Sequence, residues 1–156
     1  MKSASTRRLV AFAAGLGFDM QITDFPEGTK TAEDAAAAIG CDVAAIVKSL
    51  VFTVDGEPVV ALVPGDRRLD TSALARVAGG SKVDRAPLDT VREATGFVAG
   101  GTPPFGHATE LRVFADNGLR RHDPVWAAGG TPSTVFPISL AELDRLATPA
   151  WTDISS

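Results

Sequence analysis

Residues 58–63 read Pro-Val-Val-Ala-Leu-Val, and this run constrains the chain more than any other stretch. A strand with one wet face alternates apolar and polar side chains, whereas a strand without alternation has to be covered on both faces. The run follows Asp55-Gly56, a two-residue hairpin signal, and residues 46–54 before it are rich in β-branched and aromatic side chains. An antiparallel pair is therefore expected, with its second strand in the middle of a layered domain. Helices have to supply the cover.

The rest of the sequence provides those helices. Residues 5–15 carry apolar side chains at helical spacing and stop at Gly15. Thr31, with Asp34 three residues on, resembles a capping box for an alanine-rich helix ending at Gly40. Asp42 is placed to cap a short turn through Ala45. Asp70 opens a helix over 71–78 that Gly79-Gly80 stops, Asp89 opens another that ends at Gly96, and Ser139 with Glu142 opens a last one to about residue 146. Between them, residues 18–25, 82–85, 111–115, 125–128 and 135–138 read as extended, with turns at Pro26-Glu27-Gly28 and Asp116-Asn117-Gly118. From Thr148 onward the tail reads as loose, with Trp151 able to dock. The expectation is one α/β domain over residues 1–156, with a mixed, largely antiparallel sheet surrounded by helices.

A chain of 156 residues buries about 68–70% of its unfolded surface, so it needs neither disulfide nor metal to hold a core. With Cys41 as its one cysteine, it can build no intrachain disulfide and no multi-cysteine zinc site. The histidines, His107 and His122, do not stand at zinc-ligand spacing, so neither a metal nor a cofactor is expected. The basic N-terminus and short apolar run over 9–16 read as a first helix rather than a signal peptide. No stretch approaches the ~20 apolar residues of a membrane span, and the expected location is the cytoplasm.

The net charge is −4, which bears on any RNA partner. Non-specific phosphate binding rests on clustered Lys and Arg. RNA contacts here have to be local, with Lys30, Lys48, Arg67, Arg68, Lys82 and Arg85 as the candidates.

Three places could hold chemistry. The loop Gly100-Gly101-Thr102-Pro103-Pro104-Phe105-Gly106-His107 joins glycines free to adopt φ > 0 to prolines fixed near φ ≈ −65°. Such a loop can aim backbone N–H groups at an oxyanion or phosphate, and it can equally be a tight connection. It is neither a Walker loop nor a dinucleotide fingerprint. Lys48 interrupts a segment whose neighbours ask for burial; either it meets an anion at a pocket mouth or it faces solvent at the strand's start. Gly129-Gly130 follows an apolar strand and either lines a cleft or simply turns the chain. His107 could act as a general acid or base, Asp66 could shape a cleft edge, and no serine stands in a nucleophile elbow.

Taken together, residues 31–36 (Thr-Ala-Glu-Asp-Ala-Ala), 39–41 (Ile-Gly-Cys), 46–52 (Ile-Val-Lys-Ser-Leu-Val-Phe), 63–66 (Val-Pro-Gly-Asp), 69–70 (Leu-Asp), 95–107 (Thr-Gly-Phe-Val-Ala-Gly-Gly-Thr-Pro-Pro-Phe-Gly-His) and 128–130 (Ala-Gly-Gly) resemble the YbaK and prolyl-tRNA-synthetase editing family. The resemblance runs from about Thr31 to Leu146. It implies a compact α/β domain that hydrolyses aminoacyl-tRNA esters, commonly mischarged tRNA-Pro carrying Cys, Ala, Ser or Thr. Lys48 would contact the terminal adenosine or its phosphate and help place the ester. Gly100 and Gly101, with Thr102, Pro103, Pro104, Phe105, Gly106 and His107 after them, would hold the ester carbonyl and the attacking water. Gly129 and Gly130 would line the opposite wall. The implied partner is the tRNA acceptor end, delivered by prolyl-tRNA synthetase or an elongation factor to a monomer. Ser49, where relatives carry threonine or asparagine, and Thr-Pro-Pro-Phe, where others carry Ile-Ser-Pro, mark departures that bear on which amino acid is removed. Two other readings stand beside it: a non-catalytic module binding a nucleotide or tRNA end on the same scaffold, and a deacylase acting on another small acyl or aminoacyl ester.

Overall fold

The computed structural model describes residues 3–26 and 31–156; the Glu27-Gly28 end of the turn expected after Phe25, and Lys30, lie outside the described residues. The expected hairpin organises the remainder. Strands β2 (Val47–Val54) and β3 (Glu57–Pro64) pair antiparallel along their whole length, Lys48 opposite Val63. Asp55 and Gly56 take φ values of 51° and 88°, the left-handed pair that a two-residue turn matched to strand twist requires.

The strands divide between two sheets. The larger has the order β4-β2-β3-β5-β8, in which β4 (Val83–Arg85) is antiparallel to β2, β5 (Val113–Asp116) is parallel to β3, and β8 (Ala150–Thr152) is parallel to β5. The smaller is antiparallel, with β7 (Thr134–Ile138) between β1 (Thr23–Asp24) and β6 (Val125–Ala128). A single parallel bridge between Ile46 and Trp126 ties the two. Because β4 reaches only Phe52, Thr53 and Val54 of β2, the edge of β2 from Val47 to Leu50 has no partner strand on that side among the described residues.

β3 is buried on both faces, as its composition demanded. Val59, Ala61 and Val63 pack with Ala73 and Leu74 of α3 (Thr71–Ala78) and with Ile154. On the other face Val60 and Leu62 pack with Leu9 of α1 (Ala4–Gly15), Phe97, Phe105, Phe136 and Leu143 of α5 (Leu140–Ala147). Each of the Val, Leu, Ile and Phe side chains among them stabilises the fold by about 1.5–3 kcal/mol relative to its exposed state. A third, smaller cluster joins Ala35 and Ala36 of α2 (Ala32–Ile39) to Ile46.

The helix boundaries follow the caps. Ser3, Thr31, Asp70 and Ser139 each accept a hydrogen bond from a backbone N–H of the first turn, and Gly40, Gly79 and Gly96 end helices in the left-handed conformation. Three expectations are corrected. Helix α4 (Leu88–Thr95) starts one residue before Asp89, with Pro87 at the cap position and no side-chain cap bond. Asp89 lies in the first turn instead, where its charge opposes the positive end of the helix dipole. Within the extended segment 18–25 only Thr23 and Asp24 pair in a strand. The tail after Thr148 is ordered: β8 extends the larger sheet, Trp151 donates to Asp144 Oδ1 at 2.9 Å beneath the Arg120 guanidinium, and Ile154 is wholly buried. Isolated strand residues gain little, but here each one adds to an existing edge, and the Asp116 carboxylate receives the Ile154 amide at 2.9 Å.

The loop singled out in the sequence is anchored from behind. Phe105 is buried, edge-on to Phe136 at 5.8 Å and stacked on Phe12 at 6.2 Å. The His107 ring Nε2 lies 2.8 Å from the Pro103 carbonyl oxygen, an arrangement in which Nε2–H donates. Burial pushes the His107 pKa below the ordinary histidine value, against the opposing effect of that bond.

Two predictions concern stability. Ile154→Ala should cost about 2–4 kcal/mol in urea unfolding; a loss below about 0.5 kcal/mol would mean that the tail is not part of the cooperative core. His107 binds its proton more weakly in the folded chain than in the unfolded one. Its neutral form is therefore favourable at pH 7, and that contribution is lost as pH falls below about 6.5, the ordinary value. Thermal unfolding between pH 7 and pH 5 should thus decline less steeply in His107→Gln than in the parent, and parallel declines would contradict the assignment.

Candidate functional site

The unpartnered stretch of β2 opens onto a cleft of about 420 Å³ between the two sheets. Lys48, Ser49 and Leu50 form one wall, Thr31 and Glu33 at the start of α2 form another, and Trp126, Ala128 and Pro132 stand opposite. Gly100 and Thr102 also line it, the first exposed and the second buried. The volume falls in the usual range for small-ligand sites, about 300–1,000 Å³.

Lys48 resolves the conflict its neighbours pose by extending along the cleft mouth. Its Nζ donates to the backbone carbonyl of Arg67. Burial pushes its pKa below the ordinary lysine value; the Glu33 and Asp66 carboxylates act in the opposite direction, and Arg68 adds to the depression. Asp66 thus enters as part of the field around Lys48. Opposing effects of this kind leave a cation that is partly desolvated yet not tightly paired, the state in which it can exchange partners with an arriving ligand.

The loop divides into parts with different tasks. Gly100 adopts φ 85°, a conformation open to glycine, at the cleft surface. Among the described residues, neither the Gly100 amide nor the Thr102 amide donates a hydrogen bond. Gly101 behaves differently: its amide donates to Val98 O at 3.0 Å, and a Cβ there would stand 2.7 Å from Thr131 Cα. It is the point where the loop presses on the backbone of the β6–β7 turn. Thr102 is 2% exposed and its hydroxyl donates to Val98 O at 3.1 Å. Pro103, Pro104 and Phe105 are buried behind the loop, and Pro104, Phe105, Gly106 and His107 line a groove against Phe12 on the far side.

Gly129 and Gly130 also sit behind the wall rather than in it. Gly129 O accepts from the Thr6 hydroxyl at 2.8 Å, and a Cβ on Gly130 would stand 3.2 Å from the Thr6 amide nitrogen. Gly130 lets the β6–β7 turn approach α1, a Cβ on Gly129 would stand 2.9 Å from Ile22 Cδ1, and the flanking Ala128 and Pro132 face the cleft. Cys41 is half-buried, with its thiol pKa raised by burial and by Asp42, so it is no ready nucleophile. Among the described residues no group of His, Cys, Asp and Glu could hold a metal ion, and no helix is long and apolar enough to cross a membrane.

Sequence reasoning did not single out Thr31, Glu33, Trp126 or Pro132 as site residues. Trp126 had a signal. In Val125-Trp126-Ala127-Ala128 the first and third residues are buried in the core, so strand alternation puts the second and fourth on the cleft side. The Ser49 hydroxyl is buried beside the cleft without a hydrogen-bond partner among the described residues, a state that costs about 1–3 kcal/mol.

Comparison with known proteins bears on the family and the fold. The family model for the aminoacyl-tRNA editing domain covers residues 26–146. The proline–tRNA ligase of Maridesulfovibrio salexigens is 41% identical over 102 residues, 65% of this chain and 17% of the ligase, so the chain spans a small fraction of that relative's length. The uncharacterized protein YwhH of Bacillus subtilis is 32% identical over 135 residues, 85% of each protein. Among solved structures, a candidate trans-editing enzyme for prolyl tRNA synthetase superposes with a TM-score of 0.94 at 39% identity, covering 100% of this chain and 99% of its own. Fold and sequence agree, and the chain belongs to the aminoacyl-tRNA editing domain family.

Proposed function

We propose that the chain is a free-standing trans-editing deacylase that hydrolyses the ester of mischarged tRNA, in the first instance tRNA-Pro carrying Cys, Ala, Ser or Thr. The observation that carries this reading is the convergence of Lys48 with the Gly100 and Thr102 backbone in one cleft of ligand size, in a chain of the editing family. Such a cleft takes the end of a tRNA and not its body. A net charge of −4 suits a protein that reads only that end, with prolyl-tRNA synthetase or an elongation factor delivering it in the cytoplasm.

The chemistry asks little of the side chains. An aminoacyl ester is already activated, so the main needs are a placed water and a stabilised oxyanion. On this reading the Lys48 ammonium leaves the Arg67 carbonyl for the terminal adenosine or its phosphate and holds the ester in place. The Gly100 and Thr102 amides, which have no acceptor among the described residues, are free for the carbonyl oxygen as water adds to its carbon. The carbonyl then re-forms, the bond to the ribose oxygen breaks, and the proton of the attacking water passes to that oxygen, with the neighbouring ribose hydroxyl as relay. Gly101 acts by position: it keeps the loop seated on Thr131. Residues 103–107 and Gly129-Gly130 support the two walls. Editing also has an energetic reason, since a synthetase pocket separates substrates differing by one methylene by only about 1–3 kcal/mol.

Deacylation of tRNA-Pro charged in turn with Ala, Cys, Ser, Thr and Pro tests this. Release of one or two non-cognate residues with Pro spared is expected, and Lys48→Ala should lower kcat/KM by about 10²-fold or more at unchanged melting temperature. Undiminished turnover in the folded variant would remove Lys48 from the mechanism, and no release from any substrate, even with synthetase added, would overturn the deacylase reading. Gly101→Ala should lower both activity and stability, the latter by about 1–3 kcal/mol, because its Cβ meets backbone that cannot swing away. A fully stable and active Gly101→Ala would show the contact with Thr131 to be dispensable.

A further inference from the structure

A second hollow of about 310 Å³ opens beside the first, and the two share Ser49, Leu50, Gly100 and Thr102. The shared residues include Gly100 and Thr102, at which the proposed ester carbonyl would sit, so a ligand held there has room to continue. The floor of the second hollow is apolar, with Val51, Ala86 and Val91 among its residues, and Arg85 and Leu88 stand at its rim.

Those two rim residues are unusual in different ways. Arg85 is exposed, and its guanidinium makes no ion pair or hydrogen bond with the described residues. The neighbouring Lys82 is already paired with Asp84 at 3.7 Å. Leu88 is 74% exposed, the most exposed of the large hydrophobic side chains among the described residues, although it begins a helix whose other apolar residues face inward. Of the cations that the sequence offers for RNA contact, Lys48 lines the first hollow and Arg85 the second. An apolar floor ending in a free guanidinium and a bare aliphatic side chain matches one nucleotide of a single strand, with its base on the apolar surface and its phosphate on the cation. An acyl side chain would have no use for the cation.

We infer that the second hollow receives the nucleotide preceding the terminal aminoacylated adenosine, with its phosphodiester on Arg85 and its base against Leu88. This rests on the deacylase reading and gives the direction in which the acceptor strand leaves the site. It also reconciles an acidic protein with an RNA substrate, since one phosphate contact needs one cation.

The test compares two esters of the amino acid that the panel shows to be released best: the charged tRNA-Pro and the same amino acid on adenosine alone. In Arg85→Gln the KM for the charged tRNA should rise about tenfold with kcat unchanged, and Leu88→Ser should act in the same direction. Neither variant should alter hydrolysis of the aminoacyl adenosine, which has no preceding nucleotide. The slope of log kcat/KM against log salt should become shallower by about 0.7 in Arg85→Gln and be largely retained in Arg85→Lys. Equal losses on both esters would mean that the hollow holds the adenosine or the acyl group, and no loss on the tRNA would mean that it holds nothing; either result overturns the inference. Should the parent protein release no amino acid at all, the deacylase reading fails separately. Fluorescence anisotropy with a 5′-labelled RNA pentamer ending in CCA then decides the strand contact: weaker binding in Arg85→Gln sustains it, and equal binding ends it.

Discussion

The arrangement depends on covering β3 on both faces. Because Val59, Ala61 and Val63 need one apolar partner layer and Val60 and Leu62 another, α3 and the ordered tail are drawn to one side of the larger sheet. Helices α1 and α5, with the aromatic cluster, are drawn to the other. The second layer is where the smaller sheet enters, through Val125, Ala127, Phe136 and Ile138. With that sheet fixed by its core-facing residues, Trp126 and Ala128 have to face the opposite way, and the cleft is the space left between them and β2. The site is thus a by-product of how two sheets share one core.

Rigidity in the cleft comes from contacts that lie outside it. Gly101 is pressed on Thr131, Gly129 and Gly130 lie against the start of α1, and Phe105 is locked between Phe12 and Phe136. None of these residues needs to touch a ligand to matter. They fix where the Gly100 and Thr102 amides sit, and under the proposed deacylase reading such dipoles stabilise an oxyanion without having to reorganise. The histidine that follows the loop belongs to the same set, holding the Pro103 carbonyl from the far side.

Much of this was legible from residue order. The hairpin, the buried central strand, four of the five helix starts and the glycine stops follow local rules whose chemistry is complete within a few residues. The tail was not legible, because Ala150–Thr152 is a strand only by virtue of an edge supplied by Val113–Asp116. Asp89 misled since Pro87, two residues earlier, already sets the entry to the helix. In the cleft, Lys48 stood out through its conflict with its neighbours, and the loop through its glycines and prolines. Thr31, Glu33 and Pro132 had no such mark: each looks like an ordinary cap, first-turn acid or turn residue, and only the meeting of distant segments gives it a place at the site. Sequence could not distinguish Gly100 from Gly101 either, since what separates them is the backbone of residue 131.

The bare edge of β2 between Val47 and Leu50 has a further consequence. An unpaired strand edge on an open surface is a template on which another chain can add a strand, and proteins commonly blunt such edges with charge or cover. Here the edge is recessed between Trp126 on one side and the start of α2 on the other, with Lys48 at its mouth. A slender ligand can reach those backbone groups, whereas a second sheet cannot approach them. The feature that leaves room for a substrate therefore also keeps the molecule from polymerising through its own edge.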